Sequence, residues 1–301
     1  MTLYVAVGAL LVLLALRAWL GDRTVDLSAL TVAFGPLNRV RFALRRALSF
    51  SRGAPVLPNE PKDGVFAYLE GDALAKAEAR AKELRATYAL AALEACSTLL
   101  AYRENLYVTD LLDTHAASRM KHANAVTVVD VGSKDFVYAP ALLAFAARWS
   151  EAPPDLTGVE LDGYVVYKDL HSRADHATAW AKVAGPTARY RVQDFLAFQP
   201  DAPVQLLTIF YPFVTRFALL RWGLPVSQYR PEALLAHAAG MLDAHGVLVI
   251  VNHTHEERGL LRALMEKIEG VALVHTGDVR STLVDYFEDV PERSVSVYVR
   301  G

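Results

Sequence analysis

The sequence has one cysteine, Cys96, and this scarcity excludes two kinds of architecture. A disulfide framework needs paired cysteines within the chain, and a zinc site of the CxxC type needs at least two. Charge of one sign is scarce as well, because 31 basic and 33 acidic residues leave a formal net charge of −2. No general attraction to nucleic acid is therefore expected. The sequence also lacks a P-loop and a G-x-S-x-G nucleophile motif, so it predicts neither of those chemistries.

The longest apolar run lies at the N-terminus, where residues 3–20 (LYVAVGALLVLLALRAWL) carry a single charge, Arg17. A helix that spans a bilayer needs about 20 apolar residues, and the long side chain of Arg17 can reach the membrane interface. A cleaved signal peptide would carry basic residues before the apolar run, and none is present. A buried core helix stays open as the alternative. We predict a transmembrane anchor over residues 1–22.

Basic residues follow this run and set the predicted orientation. By the positive-inside rule they place the remaining chain in the cytoplasm, as a single-pass protein of the inner membrane. Residues 39–50 (RVRFALRRALSF) alternate basic and apolar side chains at helical spacing. This pattern predicts either a helix on the anionic membrane surface or a solvated basic helix or linker. Because residues 51–64 contain three prolines and two glycines, we interpret residues 23–64 as a basic juxtamembrane segment with a linker.

A helical extension is predicted over residues 65–122. Apolar residues from Leu74 to Tyr102 recur at steps of three and four, which indicates one long helix with Asp72 as its N-cap. A second helix is expected over residues 106–119.

From residue 123 to residue 301, predicted strands and helices alternate, as is typical of a parallel sheet covered on both faces. The predicted strands are VTVVDVG, DLTGVELD, ARYRVQDF, VQLLTIFYPF and GVLVIVNH, followed by the short VALVHT and the terminal SVSVYVRG. We therefore predict an α/β fold, a Rossmann-like three-layer α/β/α sandwich, to which N-terminal helices and the anchor helix are attached.

Acidic residues stand at the ends of three successive predicted strands. Open parallel sheets bind ligands outside the carboxyl ends of their strands, so these residues are expected to meet at one edge. They are Asp130 with Gly132 and Ser133 after the first strand, Glu160 and Asp162 after the second, and Asp194 after the third, with Tyr211 and Pro212 after the fourth.

This arrangement, with a helix ending MLDAHG directly before the strand VLVIV and two short terminal strands, resembles the class I S-adenosylmethionine-dependent methyltransferases. The resemblance covers about residues 126–300. In that family a D-x-G-x-G-x-G loop passes the methionine part of the cofactor, the second-strand acid holds the ribose, and the third-strand acid holds the adenine amino group. The resemblance implies S-adenosylmethionine as cofactor and, as its contacts, Asp130, Gly132, Ser133, Lys134, Glu160, Leu161, Asp162, Asp194, Phe195, Tyr211 and Pro212.

The chain departs from this family in the first loop, where Lys134 and Phe136 replace the second and third glycines. A Cβ at either position narrows the space for close approach of the backbone to a ligand. We interpret the loop as modified rather than lost. Lys134 can pair with the methionine carboxylate, and the helix that starts near Tyr138 is expected to offer its N-terminal amides to the same group.

Methyl transfer from a sulfonium needs mainly alignment and the exclusion of water, since the leaving group is already activated. Tyr211 and His253 are the candidate catalytic residues. No metal site is predicted, because residues 253–256 (HTHE) match no metalloenzyme spacing and Thr254 is instead expected to cap a helix.

The predicted function is membrane-tethered methyl transfer to a small-molecule or lipid-like acceptor, with the oligomeric state open. Two alternatives stay open. One is a cofactor-binding sensor or scaffold that lacks the reaction. The other is a nicotinamide-dependent reductase, which the missing glycines of G-x-G-x-x-G disfavour.

Overall fold

The computed structural model describes residues 27–283 and 293–301, with side chains from residue 34 onward. The predicted anchor over residues 1–22 lies outside these ranges. Among the helices of the two ranges, none has both the length and the apolar character that a bilayer crossing requires.

In these ranges, seven strands form one sheet in the order β3-β2-β1-β4-β5-β7-β6. β1 to β5 run parallel, whereas β7 pairs antiparallel with both β5 and β6. This order, with an antiparallel strand inserted next to the edge, is that of class I methyltransferases and confirms the Rossmann-like α/β part of the predicted fold class. The strands are β1 (Thr127–Val131), β2 (Asp155–Glu160), β3 (Ala188–Val192), β4 (Val204–Phe210), β5 (Leu242–Asn252), β6 (Val271–Asp278) and β7 (Ser294–Arg300).

Helices cover both faces of the sheet. They are α1 (Leu27–Leu48), α2 (Gly71–Thr87), α3 (Ala91–Glu94), α4 (Leu99–His115), α5 (Ala139–Ala147), α6 (Arg173–Ala184), α7 (Arg216–Arg221), α8 (Pro231–Met241) and α9 (His255–Met265). One apolar core joins α2, α4, α5 and α6 to one face of the sheet. A second core joins α8 and α9 to the other face. Burial on both faces explains why the central strands read as continuous apolar runs.

The N-terminal helical region differs from its prediction. The single helix expected from Asp72 to Tyr102 is divided into α2, α3 and the start of α4, and the second predicted helix is the remainder of α4. α2 ends because Tyr88 turns to an extended backbone and is buried. α4 begins because the Thr98 side chain accepts a hydrogen bond from the Ala101 amide, as an N-cap does.

α1 packs against α7, although its sequence was interpreted as a juxtamembrane segment. Asn38 is buried, and its Nδ2 donates to the carbonyl oxygens of Leu220 at 2.8 Å and Leu224 at 3.2 Å. Phe42 is buried in the same cluster, with Leu219, Leu220 and Leu224. A helix amide side chain that binds backbone carbonyls fixes the register of the two segments, so α1 is a docked part of the fold.

The segment after α1 is also attached to the domain. The backbone amides of Arg52 and Gly53 donate to the carboxylate of Asp175 at 2.9 and 3.1 Å, and the Ser51 hydroxyl binds it as well. Asp175 lies in the first turn of α6, where it forms a capping box with Ser172. The predicted linker is therefore anchored at its beginning, close to the carboxyl end of β2.

Candidate functional site

The loop after β1 has left-handed φ angles at three positions, although only the first of them is glycine. Gly132, Lys134 and Phe136 have φ angles of +75°, +51° and +60°. Lys134 is exposed, whereas the ring of Phe136 is buried and packs over Gly158 of β2. A Cβ at Gly158 would lie 2.8 Å from Cζ of Phe136, so the absence of a side chain there makes room for the ring. The loop thus has other side chains at the second and third glycine positions, while its backbone there keeps the positive φ angles that glycine favours.

Replacing Lys134 with glycine is expected to raise the free energy of unfolding by about 1 kcal/mol, because a left-handed backbone costs a residue with a Cβ about 1–2 kcal/mol. Urea unfolding of the purified protein measures this effect. Lys134→Ala is the matched control, since alanine removes the ammonium group and keeps the Cβ. Equal stability of the two variants would contradict a strained residue at this position.

Asp130 lies beneath this loop and is fully buried. Its Oδ1 accepts a hydrogen bond from Thr208 Oγ1 at 2.6 Å, and its Oδ2 accepts one from the Tyr138 hydroxyl at 3.0 Å. Burial raises the pKa of Asp130 to about 6, although these hydroxyl donors lower it. Ser133 is also buried and donates from Oγ to the Asp130 carbonyl. Asp130 and Ser133, both predicted as cofactor contacts, are therefore buried under the loop, where their hydrogen bonds hold its conformation.

Glu160 is at the end of β2, as predicted, and it holds the loop. Its Oε2 accepts the Lys134 amide at 3.0 Å, and its Oε1 accepts the Asp162 amide at 2.9 Å. Arg173 Nη1 lies 3.5 Å from the same Oε1. Glu160 is only 4% exposed. Two of the roughly four lone-pair positions of its carboxylate are thus used by backbone amides.

Asp162, two residues further on, is paired with α1. Arg45 Nε donates to Oδ1 at 2.9 Å and Arg45 Nη2 donates to Oδ2 at 2.6 Å. The side chain of Asp162 is 1% exposed and that of Arg45 is 23% exposed. α1 therefore closes over the carboxyl end of β2, and Leu161 packs against the cluster that includes Phe42.

Asp194, after β3, is more accessible. Its Oδ1 accepts the Leu196 amide at 3.0 Å, and its Oδ2 accepts Arg230 Nη2 at 2.6 Å. The side chain is 31% exposed. Phe195 is buried, and its ring centroid lies 5.1 Å from that of His237 with the two ring planes at 72°. The Asp194 side chain can therefore be reached by a ligand at the edge of the sheet.

Three arginines that sequence reasoning missed stand opposite these acids: Arg173, Arg45 and Arg230. They come from the start of α6, from α1 and from the residue before α8. No local pattern marks them, since each ion pair joins segments that are distant in sequence or separated by a turn.

The N-terminus of α5 does not offer the amides that were expected for a carboxylate. The Ala139 amide donates to the Phe136 carbonyl at 2.9 Å, and the Leu142 amide donates to the Tyr138 carbonyl at 3.2 Å. The Ala141 amide donates to Oδ1 of the buried Asn105 at 3.0 Å. Pro140 has no amide hydrogen. That prediction is wrong, because α4 supplies the cap that a ligand was expected to supply.

Tyr211 and His253, the candidate catalytic residues, lie together at the ends of β4 and β5. Their rings stack at 3.8 Å between centroids with an interplanar angle of 8°. The Tyr211 amide donates to the Val251 carbonyl at 2.8 Å, which ties the two strand ends together. The Arg293 guanidinium lies 5.8 Å from the Tyr211 ring centroid. Pro212 is half-buried directly after Tyr211.

Thr254, next to His253, accepts the Glu257 amide and caps α9, as predicted. Among the residues with described positions, no group of three or more His, Cys, Asp or Glu side chains is arranged to hold a metal ion.

The residues at this edge fit S-adenosylmethionine in part. Gly132 is exposed, and a Cβ there would meet nothing within 4 Å, so the loop backbone is open to a ligand. Lys134 and Asp194 are accessible on either side. Two lone-pair positions of Glu160 are not used by backbone amides, but Arg173 lies 3.5 Å from Oε1 and the carboxylate is buried, so the fit to ribose hydroxyls is tight at this point.

No protein-family model and no curated protein matches the sequence. Solved structures that are similar to it include TrmN from Thermus thermophilus, with 16% identity, 65% of this chain and 49% of TrmN covered, and a TM-score of 0.44. A TehB-like S-adenosylmethionine-dependent methyltransferase from Corynebacterium glutamicum shares 18% identity over 76% of this chain and 100% of its own, with a TM-score of 0.39. The N-methyltransferase NodS from Bradyrhizobium japonicum, in complex with S-adenosyl-L-homocysteine, shares 12% identity over 66% of this chain and 87% of its own, with a TM-score of 0.43. This chain thus spans about half the length of TrmN.

Proposed function

We propose that this chain is an S-adenosylmethionine-dependent methyltransferase that acts at the cytoplasmic side of the inner membrane on a small-molecule or lipid-like acceptor. The observation that carries the proposal is the position of the two acids, Glu160 and Asp194, at the carboxyl ends of the neighbouring strands β2 and β3 in a sheet with this strand order. The membrane part rests on the apolar residues 3–20 and the arginines that follow them.

The cofactor supplies a methyl group on a sulfonium whose leaving group is already activated. Glu160 would bind the ribose, and Asp194 would bind the adenine with Leu161 and Phe195 beside it. Lys134, exposed on the loop, would pair with the carboxylate at the methionine end. The chain's contribution is therefore mainly binding and orientation.

The stacked rings of Tyr211 and His253 would wall the site at the β4 and β5 ends and keep water from the acceptor. The His253 ring is the group suited to take a proton from an acceptor that is protonated near neutral pH. Because both side chains follow strand ends that are tied by a backbone hydrogen bond, their relative position is fixed by the sheet.

Lys134→Ala is expected to weaken binding of S-adenosylmethionine by about 0.5–1 kcal/mol and to leave adenosine binding unchanged, because Lys134 is exposed and only the former ligand has a carboxylate. Isothermal titration calorimetry of the purified protein with both ligands measures this. Lys121→Ala, an exposed lysine outside the loop, is the matched control. Equal losses for both ligands would indicate a structural role for Lys134. Folded protein that binds neither S-adenosylmethionine nor S-adenosylhomocysteine would contradict the cofactor assignment.

A cofactor-binding sensor or scaffold is the second candidate, and one observation favours it. The Glu160 carboxylate and the Ala141 amide, which a ligand was expected to contact, already have partners within the chain. Formation of S-adenosylhomocysteine by the full-length protein in membranes or extract separates the two functions, since a sensor forms none.

A further inference from the structure

The outward stripe of α1, formed by Leu37, Val40, Leu44 and Leu48, is an apolar surface. These residues follow one another at steps of three and four, so they share one face of the helix. They are 43%, 57%, 56% and 75% exposed. The opposite face carries Asn38 and Phe42, which are buried against α7. One side of α1 is thus docked on the fold through Asn38, Phe42 and Arg45, and a second, apolar side is exposed.

The charge of α1 is of one sign. Its sequence contains four arginines and no acidic residue. Arg45 pairs inward with Asp162, whereas Arg39 and Arg41 are exposed and form no ion pair with any residue in the described ranges. Arg46 is exposed and lies 5.6 Å from the Phe42 ring. The outward stripe is therefore bordered by positive charge.

Exposed aromatic side chains lie on and next to α7, the helix against which α1 packs. Phe217 on α7 and Trp222 directly after it are each 41% exposed. Trp is one of the two residue types that are enriched where proteins meet the interface of a bilayer.

We propose that the outward stripe of α1 is a docking surface for an anionic lipid bilayer. Apolar residues on one face of a helix and arginines at its borders are the features that hold a helix in the plane of such an interface. A second copy of the chain fits less well, because a symmetric contact would bring the like charges of two α1 helices together. The proposal rests on the membrane part of the proposed function and names the surface that performs it.

Docking through this stripe determines which side of the protein meets the membrane. Arg45 on the inner side of α1 is bonded to Asp162 at the end of β2. The carboxyl ends of the parallel strands therefore lie on the side of the molecule that α1 covers. A lipid-like acceptor in the bilayer would then lie on the same side of the molecule as the candidate site.

A fluorescent label at position 44 tests the proposal in the full-length protein. In a Cys96→Ser background, Leu44→Cys is labelled with an environment-sensitive dye, and Leu100→Cys on α4, with 59% exposure against 56%, is the matched control. We expect a blue shift at position 44, and none at position 100, on vesicles of phosphatidylcholine with one part in three phosphatidylglycerol, with a smaller shift on pure phosphatidylcholine.

Arg39→Gln with Arg41→Gln is expected to lower the ratio of shifted to unshifted label about 25-fold, since each arginine near an anionic surface contributes about fivefold. Lys182→Gln with Arg191→Gln removes the same charge from exposed residues elsewhere and should leave the ratio unchanged. This ratio reports the stripe itself, whether or not residues 3–20 hold the protein on the vesicle.

Three results would overturn the proposal. An unchanged emission at position 44 on anionic vesicles would show that the stripe does not enter the interface. A blue shift without vesicles that grows with protein concentration would assign the stripe to a second copy of the chain. A blue shift without vesicles at every concentration would assign it to residues 1–26. No cofactor is used, so failure here leaves methyl transfer standing, and absence of cofactor binding leaves the docking surface standing.

Discussion

Replacing Arg45 with alanine is expected to lower the free energy of unfolding by about 3–5 kcal/mol, because it leaves the buried carboxylate of Asp162 without its partner. Arg45 donates two hydrogen bonds to that carboxylate, at 2.9 and 2.6 Å. Asp162 is 1% exposed, so water cannot replace the guanidinium without opening the contact between α1 and the sheet domain. The backbone amide of Asp162 also binds Glu160, so the loss extends to the end of β2.

Denaturant unfolding measures this loss, and Arg41→Ala is the matched control. Arg41 is an exposed arginine on the same helix, and its removal should change stability by less than about 0.5 kcal/mol. The double variant with Asp162→Asn should recover part of the loss, since the uncompensated charge is then absent. An Arg45→Ala variant as stable as Arg41→Ala would mean that α1 is not held by this ion pair.

Ionisation of the buried Asp130 is expected to lower the free energy of unfolding by about 3 kcal/mol as the pH rises from 4 to 7. Burial raises the pKa of this carboxyl to about 6 in the folded protein, whereas an unfolded aspartate titrates near 3.9. Between these values the folded protein retains a proton that the unfolded chain has released. The stability from this group is therefore complete below pH of about 4 and is lost as the pH rises through about 6, at about 1.4 kcal/mol for each pH unit.

Asp130→Asn isolates this effect, because the amide keeps the size of the side chain and does not titrate. The difference in unfolding free energy between wild type and variant should change by about 3 kcal/mol across this pH range. Asp175 provides the contrast. Its pKa is lowered to about 2 because hydrogen bonds from Ser51, Arg52 and Ser172 outweigh its burial. Its contribution is present above pH of about 4 and is lost as the pH falls through about 2. A constant difference for Asp130→Asn from pH 4 to pH 7 would contradict the raised pKa.

The sheet could be predicted from the sequence because its signals are local. Apolar runs that are buried on both faces mark the central strands, and caps such as Thr254 mark helix starts. The positions of the acidic residues could be predicted for the same reason, since each lies at or just after the end of a predicted strand. Local signals also gave one wrong prediction, the single helix from Asp72 to Tyr102. The alanine-rich stripe keeps its helical spacing beyond Tyr88, where the helix in fact ends.

The partners of the acids could not be predicted, because ion pairs such as Arg45 with Asp162 join residues 117 positions apart. The sequence pattern of α1 likewise misleads, since its apolar stripe is exposed and the side that packs against α7 carries Asn38 beside Phe42. The cap that Asn105 places on α5 was missed for the same reason, since an asparagine inside a helix has no local signal for a partner 36 residues away.

The fit between Phe136 and Gly158 restricts how this loop can change by mutation. With the ring present, residue 158 cannot gain a side chain, since its Cβ would lie 2.8 Å from Cζ of Phe136. If residue 136 became glycine first, a space the size of a benzene ring would open under the loop. Each single change is therefore unfavourable, since a side chain at residue 158 meets the Phe136 ring and loss of the ring leaves an unfilled space. Because the same Cβ would also lie 2.9 Å from Ser133 Oγ, a side chain at residue 158 requires changes at both Phe136 and Ser133.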